Sequence, residues 1–247
     1  MRCKQLRLET VDKQQIDCLH YQNGHDIVLI ISHGFYNSKQ ALLLRKLVQA
    51  FCDVYDIFMF DFRGHGKSSG VFTWTSREHN DIESVLSYLK GKYKKLGVIA
   101  FSLGASIWIS ALKGRNDIDS LVCVSTPSDV AKIDYTFWAL NWDEDIVYTL
   151  FSSEGRVGKG IRPGPFWLKK EKPAETAALL RVPTLYVHGD KDWVIHPWHS
   201  KLLFDKTTVK KKLVTIKDGS HAEYLLRNHA EEVVNEIKNW LAETLKL

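Results

Sequence analysis

The sequence predicts an α/β fold, a mostly parallel central sheet flanked by helices on both faces and interrupted by one helical insertion. Three observations lead there. Short apolar runs rich in β-branched and aromatic residues alternate with helix-length amphipathic stretches, the pattern of βαβ units. The composition is that of an ordinary globular chain, with 247 residues, 45% hydrophobic and 26% charged. No internal repeat or low-complexity tract is visible, which argues against a solenoid or a disordered chain.

Taken in order, residues 5–21 read as an antiparallel hairpin at the sheet edge. Residues 27–31 and 57–60 are short apolar runs of buried-strand type. Residues 77–90 form a helix, because Ile82, Val85, Leu86 and Leu89 recur at spacings of three and four and so share a face. A strand over 96–101 runs into a helix over 103–112. Strands follow at 121–124, 184–187 and 213–216, and the chain closes on a helix spanning 222–245. The rhythm breaks between residues 125 and 182, where 58 residues contain no sheet-like run. Trp138, Trp142, Ile146 and Leu150 recur there every four residues, on one face of a helix. A glycine- and proline-rich stretch over 155–165 comes next. An insertion this long is a lid or binding element, or its aromatics pack it onto the body, and both roles can hold together. The chain is thus expected to be a single domain over 1–247 with an insertion at about 125–182.

Charge and cysteines narrow the setting. The net charge of +5 comes with lysines in short runs, which read as solvated surface rather than a nucleic-acid or anionic-membrane contact. Cys3, Cys18, Cys52 and Cys123 are too scattered for a disulfide framework, and no His/Cys cluster has zinc-site spacing. Reduced cysteines, no secretory leader and no membrane-length apolar run lead to a cytoplasmic location without stable membrane insertion. No cofactor or metal is expected, and the oligomeric state is not legible.

The strongest chemical signal is Gly97-Val98-Ile99-Ala100-Phe101-Ser102-Leu103-Gly104-Ala105-Ser106. An apolar strand runs into a serine between small residues and then into a helix, a nucleophile-elbow arrangement. The turn demands small neighbours where strand and helix pass close together; Gly104 and Ala105 supply them, and Ala100 stands where glycine is more common. The helix N-terminus behind Ser102 offers oriented N–H groups to an oxyanion. A nucleophilic serine needs a base, and the base needs an orienting carboxylate. Asp190 and Asp192 follow the strand at 184–187, and His221 follows the strand at 213–216. Serine, acid and histidine therefore fall at successive strand ends, and in a parallel sheet these loops emerge at one edge. Asp192 sits farther out on its loop than Asp190, nearer to where a neighbouring loop could be reached. His33 reads as a residue shaping its own loop. The stretch from Asp61 to Ser68 ends in Gly-Lys-Ser, but a phosphate loop needs glycine where Asp61 stands, so a glycine-rich turn is expected.

These residues resemble the α/β-hydrolase superfamily over nearly the whole chain. The markers are His33-Gly34-Phe35, Asp61-Phe62-Arg63-Gly64-His65-Gly66-Lys67-Ser68, the Ser102 elbow, Gly189 with Asp192 and Ile195, and Gly219-Ser220-His221. The sequence looks most like the branch of small esterases, monoacylglycerol lipases, lysophospholipases and serine aminopeptidase-like hydrolases. The resemblance implies an α/β-hydrolase fold with Ser102 as nucleophile, His221 as base and Asp192 as acid. It implies an oxyanion hole from the backbone N–H groups of Phe35 and Leu103, and a cap in the insertion. The activity implied is a serine carboxylesterase acting on small to medium esters with an apolar acyl or aryl group. Thioester, amide or peptide, or carbon–carbon bond hydrolysis shares the same triad, and a ligand-binding member without catalysis would share the fold. Tyr36, Trp138, Trp142 and Trp193 are the candidate pocket residues.

Overall fold

The computed structural model describes residues 1–133 and 147–246. Among the described residues, eight strands form one sheet: β1 (Arg2–Glu9), β2 (Gln15–Gln22), β3 (Ile27–Ser32), β4 (Asp56–Phe60), β5 (Lys95–Phe101), β6 (Ser120–Val124), β7 (Thr184–Gly189) and β8 (Lys211–Ile216). Their order is β1-β2-β4-β3-β5-β6-β7-β8. β1 and β2 make the edge hairpin expected from the sequence; β2 is antiparallel to β4, and every later pairing is parallel. β3 and β5 lie side by side, with Ile31 opposite Ile99 and Ser32 opposite Ala100. The Ser102 turn thus leaves the sheet next to the His33 turn.

The helices are α1 (Leu42–Phe51), α2 (His79–Leu89), α3 (Leu103–Ala111), α4 (Tyr148–Phe151), α5 (Ser153–Arg156), α6 (Pro173–Thr176), α7 (Trp198–Lys206), α8 (Leu225–Asn228) and α9 (Ala230–Thr244). Alternation along β5 splits the core. Val98 and Ala100 pack with Ile82, Val85 and Trp108 of α2 and α3 on one face. Ile99 and Phe101 pack with Leu44, Leu47, Ile237 and Leu241 of α1 and α9 on the other. Burial on both faces of β3, β4, β5, β6 and β7 explains their continuous apolar runs.

Two expectations need adjustment. The closing helix is not continuous over 222–245. A 3₁₀ turn at Ala222–Tyr224 leads into α8, and His229, at φ −126° and ψ 27°, separates α8 from α9. The apolar period survives the break because His229 still donates to the Leu225 carbonyl and accepts from Val233 N–H. Leu225, Leu226, Val233 and Ile237 therefore remain on one buried face. In the 125–182 stretch, the described residues contain short helices and two isolated bridges, His65 to Ile161 and Phe72 to Pro163, that tie it to the 61–72 loop. Trp138, Trp142 and Ile146 lie outside the described residues; Leu150 is exposed.

Candidate active site

Ser102 occupies the corner between β5 and α3, at φ 49° and ψ −123°. A left-handed backbone is costly for a non-glycine residue, so the surroundings must hold it there. They do: Ser102 N–H donates to the Val124 carbonyl at 2.7 Å, and its own carbonyl starts α3 by accepting from Ala105 N–H at 3.0 Å. Gly104 permits the corner, because a Cβ there would overlap the His33 carbonyl oxygen. Only 7% of Ser102 is exposed.

His221, just beyond β8, lies with Nε2 at 3.0 Å from Ser102 Oγ and Nδ1 at 2.8 Å from Asp192 Oδ2. Residues 102, 192 and 221, taken from three separate strand ends, thus form one continuous hydrogen-bonded chain. Ser125, at the end of β6, accepts from Ala222 N–H through Oγ at 2.9 Å and fixes the backbone after His221. Asp190 is exposed and lies outside this chain; its N–H donates to the Ile216 carbonyl, a turn contact.

The Asp192 carboxylate accepts on both oxygens. Oδ1 takes the N–H groups of Val194 at 3.0 Å and Ile195 at 2.8 Å. Oδ2 takes His221 and also faces His188 Nε2 at 3.2 Å. His188 was not legible as part of the site; a buried histidine at the end of an apolar strand is a weak signal. Its Nε2 also faces the Ile195 carbonyl at 2.7 Å, so both neighbours of that nitrogen are acceptors and it carries the proton. Its Nδ1 then accepts from Ser200 Oγ at 2.6 Å. Burial alone would raise the Asp192 carboxyl, but the two imidazoles outweigh it and hold the group well below the usual carboxylate range. For His221, burial favours the neutral ring, and the Asp192 charge overrides this to raise the imidazole above its ordinary value.

His33 is a loop-shaping residue by its contacts. Nδ1–H donates to the Gly34 carbonyl at 2.7 Å and Nε2 accepts from Phe62 N–H at 3.0 Å. Burial pushes its imidazole down to about 4, so it stays neutral at ordinary pH. In the Asp61 turn, the carboxylate fills the loop interior itself. It accepts from the N–H of Lys39 at 2.8 Å, of Lys67 at 2.9 Å, and from Lys39 Nζ at 2.5 Å. The Lys39 and Lys67 N–H groups are thus taken by Asp61 itself.

A cavity of about 220 Å³ opens over Ser102. Ser102, His221, Phe35, Leu103 and Tyr36 line it, as do apolar side chains that include Trp74, Val130 and Ile133. Trp193, expected in the pocket, is half-buried and does not line this cavity; its neighbours Val194 and Ile195 do. Phe35 rests against Trp74 with ring centroids 5.4 Å apart. Leu103 is the first residue of α3, so its N–H is one of the unpaired donors at a helix start, beside Ser102. Lys159 and Glu223, also in the wall, form an ion pair at 2.6 Å that the sequence did not point to. Among the described residues no cluster of His, Cys, Asp or Glu could hold a metal ion. No helix among them is long and apolar enough to cross a membrane.

Comparison with known proteins gives a consistent picture. Residues 27–236 match the model of the Alpha/beta hydrolase family. Protein YfhR of Escherichia coli O157:H7 is 25% identical over 199 residues, 77% of this chain and 62% of that protein, so the chain spans about three-fifths of that relative. Caffeoylshikimate esterase of Arabidopsis thaliana is 22% identical over 259 residues, covering 87% of this chain and 77% of that protein. The structure of the Pyrococcus furiosus esterase Pf2001 superposes with a TM-score of 0.78 at 21% identity, over 99% of this chain and 93% of that one. At that identity the likeness speaks for the fold.

Proposed function

The chain belongs to the alpha/beta hydrolase family, and within it we propose a serine carboxylesterase that cleaves esters of small to medium acyl chains through an acyl-enzyme on Ser102. The observation that carries this is the Ser102–His221–Asp192 chain, with contacts of 3.0 and 2.8 Å at the floor of a largely apolar cavity.

Ser102 Oγ attacks the ester carbonyl carbon and its proton passes to His221 Nε2. Asp192 fixes the tautomer with Nδ1–H and stabilises the imidazolium. The carbonyl oxygen, now negative, is received by the N–H groups of Phe35 and Leu103; one such donor is worth about 10²–10³ in rate. The intermediate collapses, the bond to the alcohol oxygen breaks, and His221 returns the proton to that oxygen. Water then attacks the acyl carbon and gives its proton to His221, which passes it to Ser102 Oγ as the carboxylic acid leaves. The apolar side chains of the cavity wall support an apolar acyl or aryl group. Residues 1–247 read as one domain with a cap at about 125–182, Trp138 and Trp142 among its aromatics. The four free cysteines support a reducing, cytoplasmic setting.

The test is the turnover of a short-chain ester by Ser102→Ala. The reading expects a loss of at least about 10⁴-fold in kcat with the melting temperature unchanged within a few degrees. A folded variant retaining wild-type turnover would remove Ser102 from the chemistry.

A further inference from the structure

We propose that Lys159 and Glu223 form a specificity subsite that reads hydroxyl groups on the leaving alcohol, so that preferred substrates are esters of polyhydroxylated alcohols. The inference rests on the serine-esterase reading above and names its substrate class.

The cavity wall divides by chemistry. Phe35, Trp74, Leu103, Val130, Ile133 and Ile195 make an apolar part suited to an acyl or aryl group. Lys159 and Glu223 make a charged part beside Tyr224. Which half of an ester meets the charged part follows from the proton path. His221 must hand its proton to the leaving oxygen, so the alcohol lies on the imidazole side of Ser102. Glu223 comes two residues after His221. Glu223 lies on the 3₁₀ turn that His221 begins and lines the cavity with it, and Lys159 is held against Glu223 in the same wall. The pair therefore faces the alcohol.

The pair is built into place. Lys159 stands between Gly158 at φ 84° and Gly160 at φ 139°. Gly158 packs so tightly that a Cβ would lie 2.5 Å from Ala41 N. Gly160 N–H donates to the Tyr36 carbonyl at 3.2 Å. On the other side, fully buried Asn37 donates from Nδ2 to Glu223 Oε1 at 2.5 Å, the oxygen that also takes Lys159 Nζ. Side-chain exposure is 13% for Lys159 and 8% for Glu223. Taking two charges out of water carries a desolvation cost, and replacing such a pair with apolar residues is often neutral or stabilising. Stability is therefore a poor reason for this pair on an otherwise apolar wall.

Its net charge decides the ligand. A lone lysine would select a carboxylate or phosphate. Here Glu223 already compensates Lys159 and would repel an anion. A hydroxyl suits both members, donating to the carboxylate and accepting from the ammonium. A polyol offers two or more such groups at once.

The experiment compares glycerol monobutyrate with propyl butyrate, which share the acyl group and a three-carbon alcohol and differ in two hydroxyls. The expected result is a kcat/KM ratio of about tenfold or more in favour of the glycerol ester, carried mainly by KM. Lys159→Met should collapse that ratio, and Lys159→Arg should retain much of it. If Lys159 only clasps the insertion to the His221 loop, Lys159→Met slows both esters in proportion and the ratio survives, which overturns the subsite. Equal wild-type rates on the two esters overturn it as well. So does a preference for the butyrate ester of 3-hydroxypropionate, whose free carboxylate would mark Lys159 as a lone cation. Hydrolysis of none of these esters would instead bring down the esterase reading on which the subsite rests. Melting temperatures recorded beside the kinetics separate a lost ratio from a lost fold.

Discussion

Four donors converge on the Asp192 carboxylate, two from backbone and two from imidazoles, and that environment governs the chemistry His221 can do. As a base His221 must be neutral, so activity falls as pH drops through its pKa. The Asp192 charge raises that pKa above its ordinary value of about 6.5, and the acid limb of the rate profile is expected above that reference. Asp192→Asn removes the cause of the rise and permits the wrong tautomer. We expect kcat at about pH 9 to fall several hundred-fold or more, by analogy with a loss of about 10⁴ in a serine protease. The residual activity should have its acid limb shifted to lower pH. Asp190→Asn, at an exposed turn position, should leave kcat close to wild type; the opposite outcome would exchange the two roles. At this scale the sequence exposed Ser102, Asp192 and His221, because each follows an apolar strand and carries a group that seldom ends one by chance. His188 and the Lys159–Glu223 pair stayed hidden. Their meaning depends on contacts between residues as far as 186 positions apart, which no local pattern records.

The elbow is the element on which the site turns. β5 and α3 meet at so sharp a corner that Gly104 touches the loop after β3, and this is where the local sequence was most informative. Gly104→Ala would drive a methyl into the His33 carbonyl, which is backbone and can yield only by moving the loop that carries Phe35. We expect a destabilisation of about 1–3 kcal/mol, the usual cost of overpacking, together with a loss of kcat larger than any change in KM. Chemical denaturation and steady-state kinetics on the same preparation check it; an unaltered kcat would show that the loop position does not matter to the reaction. The closing helix is the element that departs most from its expected form. The apolar period predicts one continuous helix over 222–245 because it runs straight through His229, and period reports the buried face but not a break in the hydrogen-bond ladder.

Across the whole molecule, the parallel part of the sheet does the assembling. With β3, β5, β6, β7 and β8 all running one way, their C-terminal ends form a single edge. Side chains 119 residues apart in sequence come within 3.0 Å there. The parallel direction of these strands followed from the alternation of strands and helices, which is why the fold class was legible, whereas their order, with β3 between β4 and β5, was not. Behind that edge, buried Lys39 bridges Asp17 at 2.7 Å and Asp61 at 2.5 Å, tying the edge hairpin to the turn beneath the cavity. The central claim, that Ser102 is the nucleophile, is tested most directly by treating the protein with a fluorophosphonate and mapping the adduct by peptide mass spectrometry. The account predicts one stoichiometric phosphonyl adduct on Ser102, slowed strongly by Asp192→Asn and absent from Ser102→Ala. A folded, ester-hydrolysing protein that carries the adduct on another residue, or takes none at all, would contradict it.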